Sequence, residues 1–173
     1  MRPSPSEYFS YFERYVCLVT EDEILSALQN QVGAVQRAFG AITPNQAGHR
    51  YAPGKWTVRE VFGHVIDTER VLGYRALCVA RGETTSLPEF DENQYEAAAQ
   101  HDRYPLSELI DEFSDLRRSH LHMFRRLESA GWEKIGCVNG HPASTRALAF
   151  VMVGHLRHHA NVLSERYGIQ VQA

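Results

Sequence analysis

The sequence predicts an all-α protein, a bundle of four long helices with one long crossover between the second and the third. Three observations lead there. Apolar residues recur at helical spacing over four long stretches, and each stretch is bracketed by residues that start or stop helices. The connection from Gly82 to Tyr104 is too long to lie structureless in a compact fold, so it is given the job of crossing the bundle. At 173 residues, 43% of them hydrophobic, the chain can bury one core without disulfides. No repeat, low-complexity tract or linker divides it, so a single domain over residues 1–173 is expected.

The opening stretch, to about Val19, carries Tyr8, Phe9, Tyr11, Phe12 and Tyr15 and reads as a short helix or arm packed across the bundle. A functional aromatic cage is the alternative to core packing. Thr20 with Glu23 has the form of a capping box, and Ile24, Leu25, Leu28, Val32, Val35 and Phe39 follow at helical spacing. Thr57 with Glu60 is a second capping box. It opens a helix whose apolar series, Val58, Val61, Val65, Leu72, Ala76 and Val79, runs to Arg81, where Gly82 supplies the stop. A helical turn is expected inside the crossover at residues 92–99. Pro105 opens the third helix, built on Leu106, Leu109, Ile110, Phe113, Leu116, Leu121, Phe124 and Leu127. Asn139-Gly140 marks a small hairpin, and Ser144 caps a fourth helix that runs to Tyr167 and stops at Gly168.

Composition removes several classes of function. A net charge of −3 leaves no concentration of Lys and Arg for a nucleic-acid backbone. Arg117-Arg118-Ser119-His120 and Arg125-Arg126 are interleaved with Glu112, Asp115 and Glu128, and read as a solvated face. No apolar run reaches the roughly 18 residues of a membrane span, and the first residues lack the apolar segment of an export signal. Cys17, Cys78 and Cys137 are odd in number and form no C-x-x-C pair, which points to a reducing cytoplasm. Cys78 lies about 21 Å along its helix beyond His64, a poor position for a ligand, and Ser144 is better explained as a cap.

The chemistry concentrates in Gly154-His155-Leu156-Arg157-His158-His159. His155 and His159 are four apart and share one helix face. At about 100° per residue with Leu148 as zero, they fall at roughly −20° and +20°, inward, with His158 near −80° at the edge of the apolar stripe. Arg157 and Asn161 fall near 180° and 220°, toward water. His64 lies on a flank of the second helix shared with Glu60, Val71 and Arg75. It is about 9 Å from the start of its helix and His159 about 12 Å from the end of its own, so the three imidazoles come level only if these helices are antiparallel. The crossover arranges this, by making helices two and three parallel and leaving the fourth antiparallel to both. Inward histidines also serve as hydrogen-bonded core residues, and this alternative stands beside a metal site.

Residues 54–61 leading into His64, then Asp67-Thr68-Glu69-Arg70, then residues 144–163 with Gly154-His155 and His158-His159, resemble the DinB-like superfamily of helical bundles over nearly the whole chain. The resemblance implies an up-down-down-up four-helix bundle, often a homodimer. It implies one metal ligand from the second helix and an H-x-x-x-H pair from the fourth, carried here by His64, His155 and His159. It implies a divalent metal cofactor, usually nickel or zinc, and relatives that are metal-dependent hydrolases or thiol-dependent transferases and isomerases using small cytosolic thiols.

Three neutral imidazoles leave a divalent ion with an open coordination position, as in catalytic sites, so hydrolysis and thiol transfer are both accessible. Glu60 and Asp67, each about one helical turn from His64, are candidates to orient an imidazole or act as a base. Their structural alternatives are the capping box and a pair with Arg70. Arg75, about three turns along the same flank, is a candidate for binding a substrate carboxylate. The expected function is a metal-dependent enzyme acting on a small molecule, with no nucleic-acid or membrane partner. The rival is a non-catalytic metal-binding or stress-associated bundle.

Overall fold

The computed structural model describes residues 2–171, so the outermost positions of the expected 1–173 domain lie outside the described residues. The helices in chain order are α1 Glu13–Val16, α2 Ile24–Gly40, α3 Pro44–Ala47, α4 Val58–Arg81, α5 Glu92–Ala99, α6 Leu106–Arg125, α7 Ser129–Glu133 and α8 Thr145–Tyr167. Short 3₁₀ turns occur at Pro5–Glu7, Ser10–Phe12 and His101–Arg103, and an antiparallel hairpin of β1 Ile135–Val138 and β2 His141–Ser144 precedes α8.

Local chemistry sets most of these boundaries. The Thr57 hydroxyl accepts from the Glu60 amide at 3.1 Å, and the Glu60 carboxylate accepts from the Thr57 amide at 2.6 Å, closing the capping box that starts α4. Gly82, at φ 88°, ends it. Ser144 accepts from the Ala147 amide at 3.0 Å to start α8, and Gly168, at φ 66°, stops it. Asn139 and Gly140 both take positive φ, as a two-residue hairpin turn requires. One boundary differs from expectation. The Thr20–Glu23 box does not form: Glu23 is itself the residue preceding α2 and makes no side-chain cap, while Thr20 bonds to Glu21. Glu21 in turn is held by Arg157 of α8, so Arg157 is tied down and half-buried instead of facing open water.

Helices α2, α4, α6 and α8 form the bundle, in up-down-down-up order. Glu69 of α4 meets Arg117 of α6, and Gly73 one turn on meets His120, so these two run parallel. Gln36, Gln31 and Gln29 of α2 meet Ser114, Arg117 and Arg125, so α2 opposes α6. Trp56, just before α4, bonds to Tyr167 at the end of α8, so α4 and α8 are antiparallel. The crossover through α5 permits this arrangement. Among the described residues no helix is long and apolar enough to cross a membrane.

The apolar core is divided in two. One cluster gathers Val16, Leu28, Leu72, Phe124 and Phe150, and the other Phe39, Phe62, Phe113, Leu156 and Leu163. Between them lies a buried polar layer of Gln31 from α2, Glu69 from α4 and Ser114 and Arg117 from α6, joined to α8 where Gln31 donates to the Val153 carbonyl. Arg117 corrects the expectation of a solvated basic face. Its side chain is 0% exposed, and its Nε and Nη2 donate to the two Glu69 oxygens at 2.6 and 2.9 Å. Its Nη1 donates to Gln31 Oε1 at 2.7 Å. The parallel crossover turns this face of α6 onto α4, whereas Arg118 and Arg125 do reach water and pair with Asp115 and Gln29. Burial would raise the Glu69 pKa, but Arg117 and His120 outweigh it and hold the carboxyl below its usual range. His120 fits because a Cβ at Gly73 would lie 2.1 Å from its ring.

Breaking the pair from one side leaves a charge stranded in the core. Glu69→Gln should cost about 3–5 kcal/mol of stability, measured by urea unfolding. Glu69→Leu combined with Arg117→Met, which removes both charges, should recover most of that loss.

Candidate metal centre

The site is built by placing α4 and α8 at a defined relative height. The Tyr167 hydroxyl donates to the Trp56 carbonyl at 2.8 Å. His64 lies eight residues after Trp56 and His159 eight before Tyr167, so in an antiparallel pair each stands about 12 Å from this pin. His155, one turn further along α8, completes the group. His155 Nε2 is 3.2 Å from His64 Nε2 and 3.2 Å from His159 Nε2. One ligand atom from each of the three lies within 4.8 Å of the others.

The chemistry of that contact fits a cation. An imidazole Nε2 carries one hydrogen or one lone pair, not two, so His155 Nε2 cannot form a separate hydrogen bond with each of two partner Nε2 atoms. A cation shared by the three rings would use all three lone pairs instead. Metal–nitrogen bonds of about 2.0–2.1 Å in a tetrahedron set nitrogens roughly 3.3 Å apart, close to the 3.2 Å from His155 Nε2 to each partner, in a group that lies within 4.8 Å overall. Burial, then the charges of His101 and His158, lowers the His64 pKa to about 4. Burial above all pushes His155 and His159 well below their ordinary value as well. All three are therefore neutral near pH 7, the state a ligand needs. Thr68 Oγ1 lies 3.5 Å from His64 Nδ1, a long contact that keeps this nitrogen turned away from the group.

The histidines open onto a cavity of about 260 Å³. Tyr15 stands edge-on to His155 and His158, with centroids 5.3 and 5.5 Å away, and Trp56 lies 5.2 Å from His64. Tyr11 and Phe12 extend this wall. The N-terminal aromatics serve both roles: Tyr8 and Tyr15 are buried in the core with Phe12 packed against it, and Tyr11, Phe12 and Tyr15 also line the cavity. Burial and a hydrogen bond with Tyr11 raise the Tyr15 pKa, so its hydroxyl stays protonated. The arm sits this close because of Gly154: a Cβ there would be 2.0 Å from the Tyr15 carbonyl oxygen.

Of the other residues singled out from sequence, His158 lines the cavity but stands outside the three-nitrogen group, and Arg75 lines the same cavity. Glu60 and Asp67 are not brought to the histidines. The Glu60 carboxylate is taken up by the Thr57 amide and by Arg50 at 2.6 Å. Asp67 faces His101 and Arg70, each at 3.9 Å, and burial raises its pKa. Thr68, Trp56, Arg14 and Glu92 reach the cavity without having been anticipated. The i, i+4 spacing of Thr68 from His64 was the one signal available for them.

The sequence pattern of the DinB superfamily matches residues 27–163. The chain belongs to the DinB superfamily. Among solved structures of the same fold, YfiT from Bacillus subtilis is described as a probable metal-dependent hydrolase with an unusual four-helix bundle topology. It superposes with a TM-score of 0.76 at 20% identity, over 96% of this chain and 94% of that one. A mycothiol-dependent maleylpyruvate isomerase superposes with a TM-score of 0.63 at 15% identity, over 83% of this chain and 61% of the isomerase. This DinB-superfamily chain therefore spans about three fifths of the isomerase's length. No curated protein matches it by sequence.

The buried histidines give the metal-free protein a pH signature. Unfolded histidine titrates near 6.5, and His64 does so at about 4. Between those values the unfolded chain binds a proton that the folded chain does not, so stability present above about pH 6.5 is lost as pH falls toward 4. Thermal unfolding followed by circular dichroism should show wild type losing stability relative to His64→Ala across that window.

Proposed function

We propose that the chain is a divalent-metal-dependent enzyme acting on a small molecule, by hydrolysis or by transfer to a thiol sulfur, with His64, His155 and His159 as the ligands. The observation that carries this is the pair of 3.2 Å contacts on the single Nε2 of His155. The descriptions of YfiT as a probable metal-dependent hydrolase and of the isomerase as mycothiol-dependent support the two reaction types.

A divalent ion held there, nickel or zinc, would lower the pKa of bound water or of a thiol and polarise a substrate oxygen. The chain supplies the rest. Three neutral imidazoles add no negative charge, and Thr68 orients His64. Tyr15, Phe12 and Trp56 restrict water on the cavity side. His158 stands on the same wall with its pKa lowered by burial and then by Arg14, so it holds a free lone pair near pH 7 and is the base within reach of a substrate. Glu60 takes no part in this scheme, since its carboxylate is held by Thr57 and Arg50, and Asp67 faces His101 and Arg70 instead of the ligands. The cavity reaches solvent past the exposed Tyr11 and Glu92, which favours an enzyme over a sealed metal-storing bundle. Free Cys17, Cys78 and Cys137 fit a reducing cytoplasm, where a low-molecular-weight thiol would be at hand.

Protein purified without a metal-affinity column should carry about one divalent ion per chain, the number one three-histidine site holds. His155→Ala or His159→Ala should release it. His158→Ala should keep the ion and lower turnover by about 10²–10⁴, the usual contribution of a general base, on whichever ester, amide or thiol-transfer substrate a panel identifies. Chelation should leave helicity intact and lower the melting temperature by a few degrees. Equal metal loss in all three variants would assign His158 as a ligand, and unfolding by the chelator would make the ion structural.

A further inference from the structure

Arg75 stands where the histidine cavity meets a second, aromatic groove, and it borders both. It is only 6% exposed. Among the described residues its guanidinium makes one hydrogen bond, Nη2 donating to the Pro88 carbonyl, and no ion pair. Phe90 lies beside it, 5.8 Å from centroid to guanidinium carbon. A buried cation without a counter-charge is costly, and a cation left so in the wall of a ligand cavity is the signature of a ligand that brings the missing charge.

The surroundings narrow that ligand. On α4, His64, Thr68, Leu72 and Arg75 follow at helical spacing and all border the cavity, forming one floor. Between its two polar ends the floor is apolar apart from the Thr68 hydroxyl, with Val151 of α8 opposite. The charged groups on the cavity are Arg14, Arg75 and Glu92. Glu92 and, on the adjoining groove, Glu89 are exposed and screened by water, Glu89 being held by Asn139 as well, so, any metal ion aside, the buried Arg75 is left without a counter-charge. About 16 Å of helix rise separates the Cα atoms of His64 and Arg75, part of which Arg75 spans because helical side chains slant toward the N-terminus.

We propose that Arg75 is the anion anchor of the cavity, and that the substrate is an elongated monocarboxylate whose reacting group and carboxylate are separated by an apolar segment lying along Thr68 and Leu72. The position of the reacting end rests on the metal site proposed above. The position of the carboxylate does not.

The test uses binding, read from Trp56 fluorescence or calorimetry, with metal-loaded protein and hydroxamates as metal-seeking probes. Octanedioic acid monohydroxamate should bind about tenfold more tightly, or better, than octanohydroxamate, the gain expected of a charge-assisted hydrogen bond. Arg75→Met should erase that preference and Arg75→Lys should keep part of it. Butanedioic acid monohydroxamate, too short to span the floor, should show no gain. Because Arg75→Met also loses the bond to Pro88, the wild type is tested alone with the neutral carboxamide analogue of the octanedioic probe, which should bind like octanohydroxamate. Octanoate with metal-free protein separates the two proposals: binding that Arg75→Met abolishes supports the anchor whatever becomes of the metal. If hydroxamates bind tightly but carboxylate and carboxamide probes are equal, the anchor is wrong and the metal site stands. If metal adds nothing to hydroxamate affinity while octanoate still depends on Arg75, the metal site is wrong and the anchor stands.

Discussion

Arg117 and Glu69 meet in the middle of the bundle with almost no contact with water, and the four helices are arranged around the hydrogen bonds this requires. Glu69 fixes α4 against α6 in a parallel sense, and Gln31 brings in α2. Through its side-chain amide Gln31 also donates to the Val153 carbonyl of α8 at 3.1 Å, two residues before His155. Two apolar clusters, one on each side, are held in register by this layer. Apolar packing alone tolerates sliding of one helix along another, whereas a buried ion pair satisfied at specific atoms does not. Such a pair is weak evidence for net stability. Its value here is positional, because a slip of one residue in α4 would move His64 by about 1.5 Å along the axis and 100° around it.

That register produces the histidine group. The layer sets α4 relative to α6 and α2, and the Tyr167–Trp56 bond sets α4 relative to α8. What results is three neutral imidazoles at the inner end of an open cavity, with their own protonation suppressed by burial. The same burial that makes these residues poor bases makes them available ligands at neutral pH. The N-terminal arm completes the enclosure, pressed onto Gly154 so that Tyr15 roofs His155.

Much of this was legible in the sequence because it is encoded locally. Capping boxes, helix-stopping glycines and the Asn139-Gly140 turn act over a few residues, and the spacing of His155 and His159 is a property of one helix. The height of His64 followed from helix rise once the long crossover was recognised. What could not be read is what depends on which helix lies opposite. Arg117 looked like part of a charged face because its partner, Glu69, is 48 residues away, and nothing near it in sequence distinguishes it from Arg118. Thr20 and Glu23 had the spacing of a cap, yet the contact between Arg157 and Glu21 draws that segment into another conformation. Glu60 and Asp67 were close to His64 in sequence and pointed elsewhere, Glu60 into its capping box and Arg50, Asp67 toward His101 brought in by the crossover. Gly154 gave no sign that a distant backbone rests on it.

X-ray absorption at the metal edge of nickel- or zinc-loaded protein examines the three-histidine assignment directly. Three imidazole nitrogens at about 2.0–2.1 Å, with at least one further oxygen ligand in the open position, are expected for the wild type, with one imidazole fewer in His64→Ala. A spectrum with two imidazoles or fewer in the wild type, or with a sulfur at about 2.3 Å, would contradict the assignment.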